Sequence, residues 1–148
     1  MSVIKMAEQI KQIHPNYLLI FKVGAFCLTY GKDSYIIAAN FNYMLKITSG
    51  VQSCGFSKKV LRKVMATLED RKINYLIIEP RNDYDVEEKS DNKNLNTYEQ
   101  EFKASYKIVK QKAKIEKIKE RLELYIGKDE FRNIIRKVED VLDENREI

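Results

Sequence analysis

Leu18-Leu19-Ile20-Phe21-Lys22-Val23-Gly24-Ala25-Phe26-Cys27-Leu28 is the stretch that decides the fold. From Tyr17 to Val23 the run is apolar except for Lys22, as expected of a strand covered on both faces. Gly24 permits a bend, and a second extended piece from Phe26 to Tyr30 is expected beyond it. Upstream, Val3, Met6, Ala7 and Ile10 fall on one face of a helix over Val3 to Ile13, which Pro15 closes at His14. Downstream, Gly31-Lys32-Asp33-Ser34 is turn chemistry, with Asp33 the expected N-cap of a helix through Asn42. Met44 to Thr48 and Ser53 to Phe56 read as short strands joined by Ser49-Gly50-Val51-Gln52. Ser57 can cap a helix whose apolar positions are Val60, Leu61, Val64, Met65 and Leu68. Asn74 to Glu79 is a last strand, ended by Pro80. Residues 1–80 therefore predict an α/β domain, a small mixed β-sheet flanked by helices.

Residues 81–97 are polar and acidic and read as a linker. Residues 98–148 read as a helical hairpin: a helix from about Thr97 to Ile126, Gly127 past its end, and a second helix capped by Asp129. In the first helix Ile108, Ile115 and Leu122 recur every seven residues, and Gln111, Ile118 and Tyr125 interleave with them, giving a short a/d seam. In the second, Phe131, Ile134, Ile135, Val138, Val141 and Leu142 form an apolar stripe. The second helix is too short to cover Phe102, Tyr106 and Val109 on the first. Self-association through the tail as a homodimer is the expectation, with a chain ending near Asp91 monomeric.

The net charge is +5, and its distribution is uneven. Residues 1–80 hold eleven Lys/Arg against five Asp/Glu. Residues 82–101 invert this with seven acids against Lys89 and Lys93, and Lys103 to Arg121 holds eight bases against Glu116 and Glu120. An excess of positive charge on a folded domain draws polyanions, nucleic acid foremost. No apolar run approaches the roughly 20 residues needed to span a bilayer. Lys5, Glu8 and Lys11 interrupt any leader-like apolar segment, so a cytoplasmic location is expected. Cys27 and Cys54 form no metal-ligand spacing with the single histidine, His14, which reads as a helix-end residue. The acids Asp83, Asp85, Glu87 and Glu88 read as a solvated linker rather than a metal site. No nucleophile–base pair, paired-carboxylate site or Gly-x-x-x-x-Gly-Lys-[Ser/Thr] loop occurs, so neither catalysis nor a cofactor is expected.

Several separate pieces then line up. His14-Pro15 ends the first helix, and Leu19-Ile20-Phe21-Lys22-Val23-Gly24 makes an apolar strand closed by glycine. Gly55-Phe56-Ser57, with Leu61 and Leu68 behind it, opens the next helix, and Ile73 to Glu79 closes the domain. In this order, over about residues 3–79, they resemble the N-terminal mismatch-recognition domain of the MutS DNA repair family. The chain looks like a free-standing form of that domain, without the family's ATPase. The resemblance implies that Phe26 is a wedge inserted into the minor groove of duplex DNA at a mispaired base. The family pattern Gly-Asp-Phe-x-Glu is here Gly24-Ala25-Phe26-Cys27-Leu28, so leucine stands where the family places a base-facing carboxylate.

The expected DNA-binding residues are thus Phe26 and Leu28, with Lys22, Lys46, Lys58, Lys59, Arg62 and Lys63 on phosphates. By side-chain chemistry alone Phe26 is equally a candidate core aromatic, and the lysines an ordinary solvated face. The expected function is a non-catalytic module sensing distorted or mismatched duplex. The alternative is a protein-interaction adaptor that keeps the fold and binds a partner through 98–148. An RNA- or hybrid-binding accessory of a polymerase is a third reading.

Overall fold

A computed structural model describes residues 2–90 and 97–146, which fall into two compact units, 1–109 and 110–148. The first is built from α1 (Val3–Ile13), β1 (Leu18–Val23), β2 (Phe26–Tyr30), α2 (Lys32–Phe41), β3 (Leu45–Thr48) and β4 (Val51–Ser57). A short 3-10 turn leads into α3 (Leu61–Asp70), followed by β5 (Tyr75–Glu79), β6 (Asp85–Lys89) and the start of α4 (Thr97–Glu123). The six strands form one sheet in the order β3-β4-β2-β1-β5-β6. Only β1 and β5 run parallel, with Leu18 opposite Tyr75 and Phe21 opposite Ile78, so the sheet is mixed as expected. These two central strands are buried on both faces, which is why Leu18–Phe21 and Tyr75–Ile78 are nearly uninterrupted apolar runs.

Alternation along the strands splits the core in two. One face gathers Leu18, Ile20, Cys27, Cys54, Phe56, Tyr75 and Ile77 with residues of α2 and α3. The other gathers Leu19, Phe21, Leu76 and Ile78 under Met6, Ala7 and Ile10 of α1. α1 thus covers the β1–β5 half of its face. Two tight turns fix the register. Val23 pairs with Phe26 around Gly24-Ala25, where Gly24 takes φ +59°. Thr48 pairs with Val51 around Ser49-Gly50, both at positive φ, the combination that matches the twist of a two-residue hairpin. The β3–β4 turn is therefore shorter than expected, and Val51 and Gln52 belong to β4.

Three expectations need correcting in this unit. Asp33 is not the cap of α2; Gly31 occupies that position without a side-chain cap, and Asp33 lies inside the helix, buried. Its carboxylate is drawn inward because three donors converge on it: Lys11 Nζ at 2.6 Å, the Leu19 backbone N–H at 2.9 Å, and the Tyr98 hydroxyl. Second, part of the expected linker is a strand. Asp85–Lys89 form β6, antiparallel to β5, with a bulge at Ile77/Ile78. The strand is an edge, so its side chains can stay charged while its backbone completes the ladder. Ser90 pins its end: its N–H donates to the Tyr75 carbonyl at 3.1 Å, and its hydroxyl accepts from the Tyr75 N–H at 2.7 Å. Residues 91–96 of the same stretch, including Asp91 and Lys93, lie outside the described residues.

Third, the first turns of α4 belong to the α/β unit. Tyr98 is in the core, and Val109 packs against it. Phe102 and Tyr106 meet the Tyr35 ring, with centroids 6.0 and 5.3 Å apart. Lys32 pairs with Glu99 at 3.1 Å and Arg71 with Glu101 at 3.6 Å. The residues expected to drive self-association thus have partners within their own chain, and a chain cut near Asp91 would lose Tyr98.

The second unit holds the remainder of α4, a turn region containing Gly127 at φ +80°, and α5 (Phe131–Glu144). Glu130, not Asp129, stands at the cap position of α5, and no side chain caps it. Ile134 shares a surface depression with Ile118, Leu122 and Tyr125.

Candidate nucleic-acid interface

The tip of the β1–β2 turn carries the expected wedge. Phe26 is the first residue of β2, held between Val23 of β1 and Ser57 of β4. Ladder pairing on both sides fixes its backbone, yet its side chain is 58% exposed and belongs to neither core cluster. The reading of Phe26 as a core aromatic therefore fails. Cys27 is the buried member of the strand, and alternation turns Phe26 and Leu28 to the opposite face.

On that face α1 does not reach β2, β4 and β3. Leu28 lies across Gly55; a Cβ built on Gly55 would come within 2.9 Å of Leu28 Cδ2, so the absent side chain makes room for the leucine. Phe26, Leu28, Met44, Lys46, Thr48 and Gly55 border one shallow groove. Its polar side is supplied by the Thr48 and Ser53 hydroxyls, 2.8 Å apart, and its charge by Lys46. Met44, Thr48 and Gly55 were not expected as site residues. The signal for them was present in the period-2 alternation of β3 and β4, which puts Lys46 opposite Ser53 beside Tyr30.

The expected cations divide. Lys58 sits beside the wedge, because its backbone N–H donates to the Ala25 carbonyl at 3.0 Å across the turn. Lys59 follows, its N–H held by Ser57 Oγ at 3.2 Å. Lys46, Lys59 and Lys63 are exposed and carry no ion pair among the described residues. Lys22 and Arg62 are engaged elsewhere. Lys22 bonds Glu87 at 2.7 Å and Arg62 bonds Glu88 at 3.0 Å, both acids on β6. The bond to Glu87 raises the Lys22 pKa above its ordinary value despite partial desolvation, holding the ammonium form. The acidic run read as a solvated linker is thus a counter-charge for two of the expected phosphate ligands.

Nothing in the arrangement is built for bond chemistry. Both cysteines are buried, and burial raises their thiols, Cys54 to about 11. Among the described residues no group of His, Cys, Asp and Glu could hold a metal ion, and no helix is long and apolar enough to cross a membrane. What the site offers is one exposed ring on a rigid turn, an apolar shelf behind it and lysines around it.

Comparison with curated proteins finds no match. A family model does match, that of MutS domain I, over residues 2–111. The match runs past the last strand into α4, in keeping with the packing of β6 and Tyr98 in the first unit. It spans well over half of the 148 residues, and the chain belongs to the MutS domain I family.

Proposed function

We propose that this chain is a non-catalytic DNA-binding module that senses distorted or mismatched duplex, with Phe26 as its wedge. The observation that carries this is the exposure of Phe26 on a backbone fixed by strand pairing on both sides. A large aromatic ring left in water at a rigid turn is favourable only where function requires it, since its burial would contribute about 2–3 kcal/mol. A deformed base step accepts such a ring because unstacking, a cost of a few kcal/mol, is least where pairing is already broken.

Leu28 changes the chemistry. A leucine at this position offers no hydrogen-bond acceptor to a base, so recognition through Phe26 and Leu28 reads deformability and apolar fit rather than base edges. Lys46, Lys58, Lys59 and Lys63 supply the phosphate contacts, with Lys22 and Arg62 restrained by β6. Fluorescence anisotropy of labelled duplex at two salt concentrations tests the reading. Binding should weaken steeply as salt rises, about 0.9 in log–log slope per phosphate contact. Salt-insensitive binding, or none at low salt, would remove it.

The second reading, a protein-interaction role for the tail, is favoured by one observation. Ile115, Leu124, Val141 and Leu142 in the second unit are each more than half exposed.

A further inference from the structure

We infer that the second unit is a self-association element in which α5 of one copy packs on α4 of another, reciprocally. The inference is independent of DNA binding. On α4, Ile115, Ile118 and Leu122 lie at a and d positions, and Ile115 is 52% exposed. The positions flanking that seam are Lys112, Lys114, Lys119 and Arg121, all basic. A second α4 laid on this seam, parallel or antiparallel, would set base against base at every flank, so an α4–α4 coiled coil is disfavoured. The seam calls for a helix whose apolar face is flanked by acids.

α5 has that pattern. Phe131, Ile134, Ile135, Val138, Val141 and Leu142 form its apolar stripe, and in its second half the flanks are Glu139 and Glu144, with Asp140 and Asp143 behind them. Its 14 residues match in length the part of α4 beyond Val109. Within one chain, however, the two faces stay apart. Only Ile134, at the start of α5, shares a depression with Ile118 and Leu122, while Val141 and Leu142 remain 57% and 66% exposed. Two complementary faces left open in one chain are both covered when a second copy supplies each with the other.

Sedimentation velocity on the full chain from 1 to several hundred micromolar tests this. A dimer is expected, weakening as salt rises. The triple variant Lys114→Glu/Lys119→Glu/Arg121→Glu should raise the dimer dissociation constant at least about tenfold through several exposed charge pairs. So should Glu139→Lys/Glu144→Lys. Combining all five substitutions in one chain should restore the dimer, which also shows that the loss in each set was not unfolding. A wild-type monomer throughout the range would overturn the inference, as would a dimer indifferent to either reversal or a combined variant that stays monomeric.

Discussion

The Tyr98 hydroxyl donates a hydrogen bond to the buried carboxylate of Asp33, joining α4 to α2 across 65 residues of sequence. The same carboxylate receives Lys11 and the Leu19 N–H, so one acid ties together α1, β1, α2 and α4. Burial and the Asp33 charge both raise the Tyr98 pKa, so the phenol remains a donor. Asp33→Ala should cost about 3–5 kcal/mol, since it strands a lysine and two donors. Tyr98→Phe removes one bond to a charged group and should cost about 1.5–3 kcal/mol. Urea midpoints should fall in that order, and a chain ending at residue 90 should be less stable than the full chain. Equal midpoints for Asp33→Ala and wild type would mean the network is not structural.

The packing of Leu28 over Gly55 gives a second expectation. Gly55→Ala places a methyl 2.9 Å from Leu28 Cδ2 and must displace it. Because the obstructing atom is a side-chain end, the cost should be modest, about 1 kcal/mol. Leu28→Ala in the same chain should relieve it, so the two substitutions are non-additive in denaturant unfolding. Additive effects would show that the leucine does not occupy that space.

Removing the acids of β6 should strengthen DNA binding. Glu87→Gln/Glu88→Gln frees Lys22 and Arg62, and two further phosphate contacts would steepen the salt slope by about 1.8. Anisotropy at several salt concentrations reads this directly. An unchanged slope would place Lys22 and Arg62 away from the phosphates.

Alkaline pH should destabilise the fold in a defined window. Burial raises the Cys54 pKa from 9.0 to about 11, so the neutral thiol is preferred in the folded chain. A folded-state pKa above the unfolded one means that this stability is fully present below about pH 9 and lost as pH climbs to about 11. At two units the effect is about 2–3 kcal/mol. Urea midpoints at pH 8 and 11 should therefore differ, and differ less in Cys54→Ala. A variant with the same pH dependence as wild type would refute the assignment.

Most of the α/β architecture was legible because its signals are local. The doubly covered runs Leu18–Phe21 and Tyr75–Ile78, the helical spacing of Leu61, Val64 and Leu68, and the turn glycines Gly24 and Gly50 each declare themselves within a few residues. β6 did not, because Asp85-Val86-Glu87-Glu88-Lys89 has the composition of a loop. It is held by backbone pairing to β5 and by charges distant in sequence, Lys22 and Arg62. Asp33 misled for a related reason: its helix-start position looks like a cap, and only the convergence of Lys11, Leu19 and Tyr98 turns it inward. At the candidate site the exposure of Phe26 could not be read from its type, since phenylalanine is more often buried.

The central claim rests on Phe26, and one measurement addresses it: anisotropy titration of wild type and Phe26→Ala against matched, single-mismatch and single-base-bulge duplexes of one length. Wild type should bind the deformed duplexes more tightly than the matched one. Phe26→Ala should lose about 1–3 kcal/mol on the deformed duplexes and little on the matched one, erasing the preference while its circular dichroism is unchanged. Equal wild-type affinity for all three duplexes, or a preference that survives Phe26→Ala, would contradict the wedge.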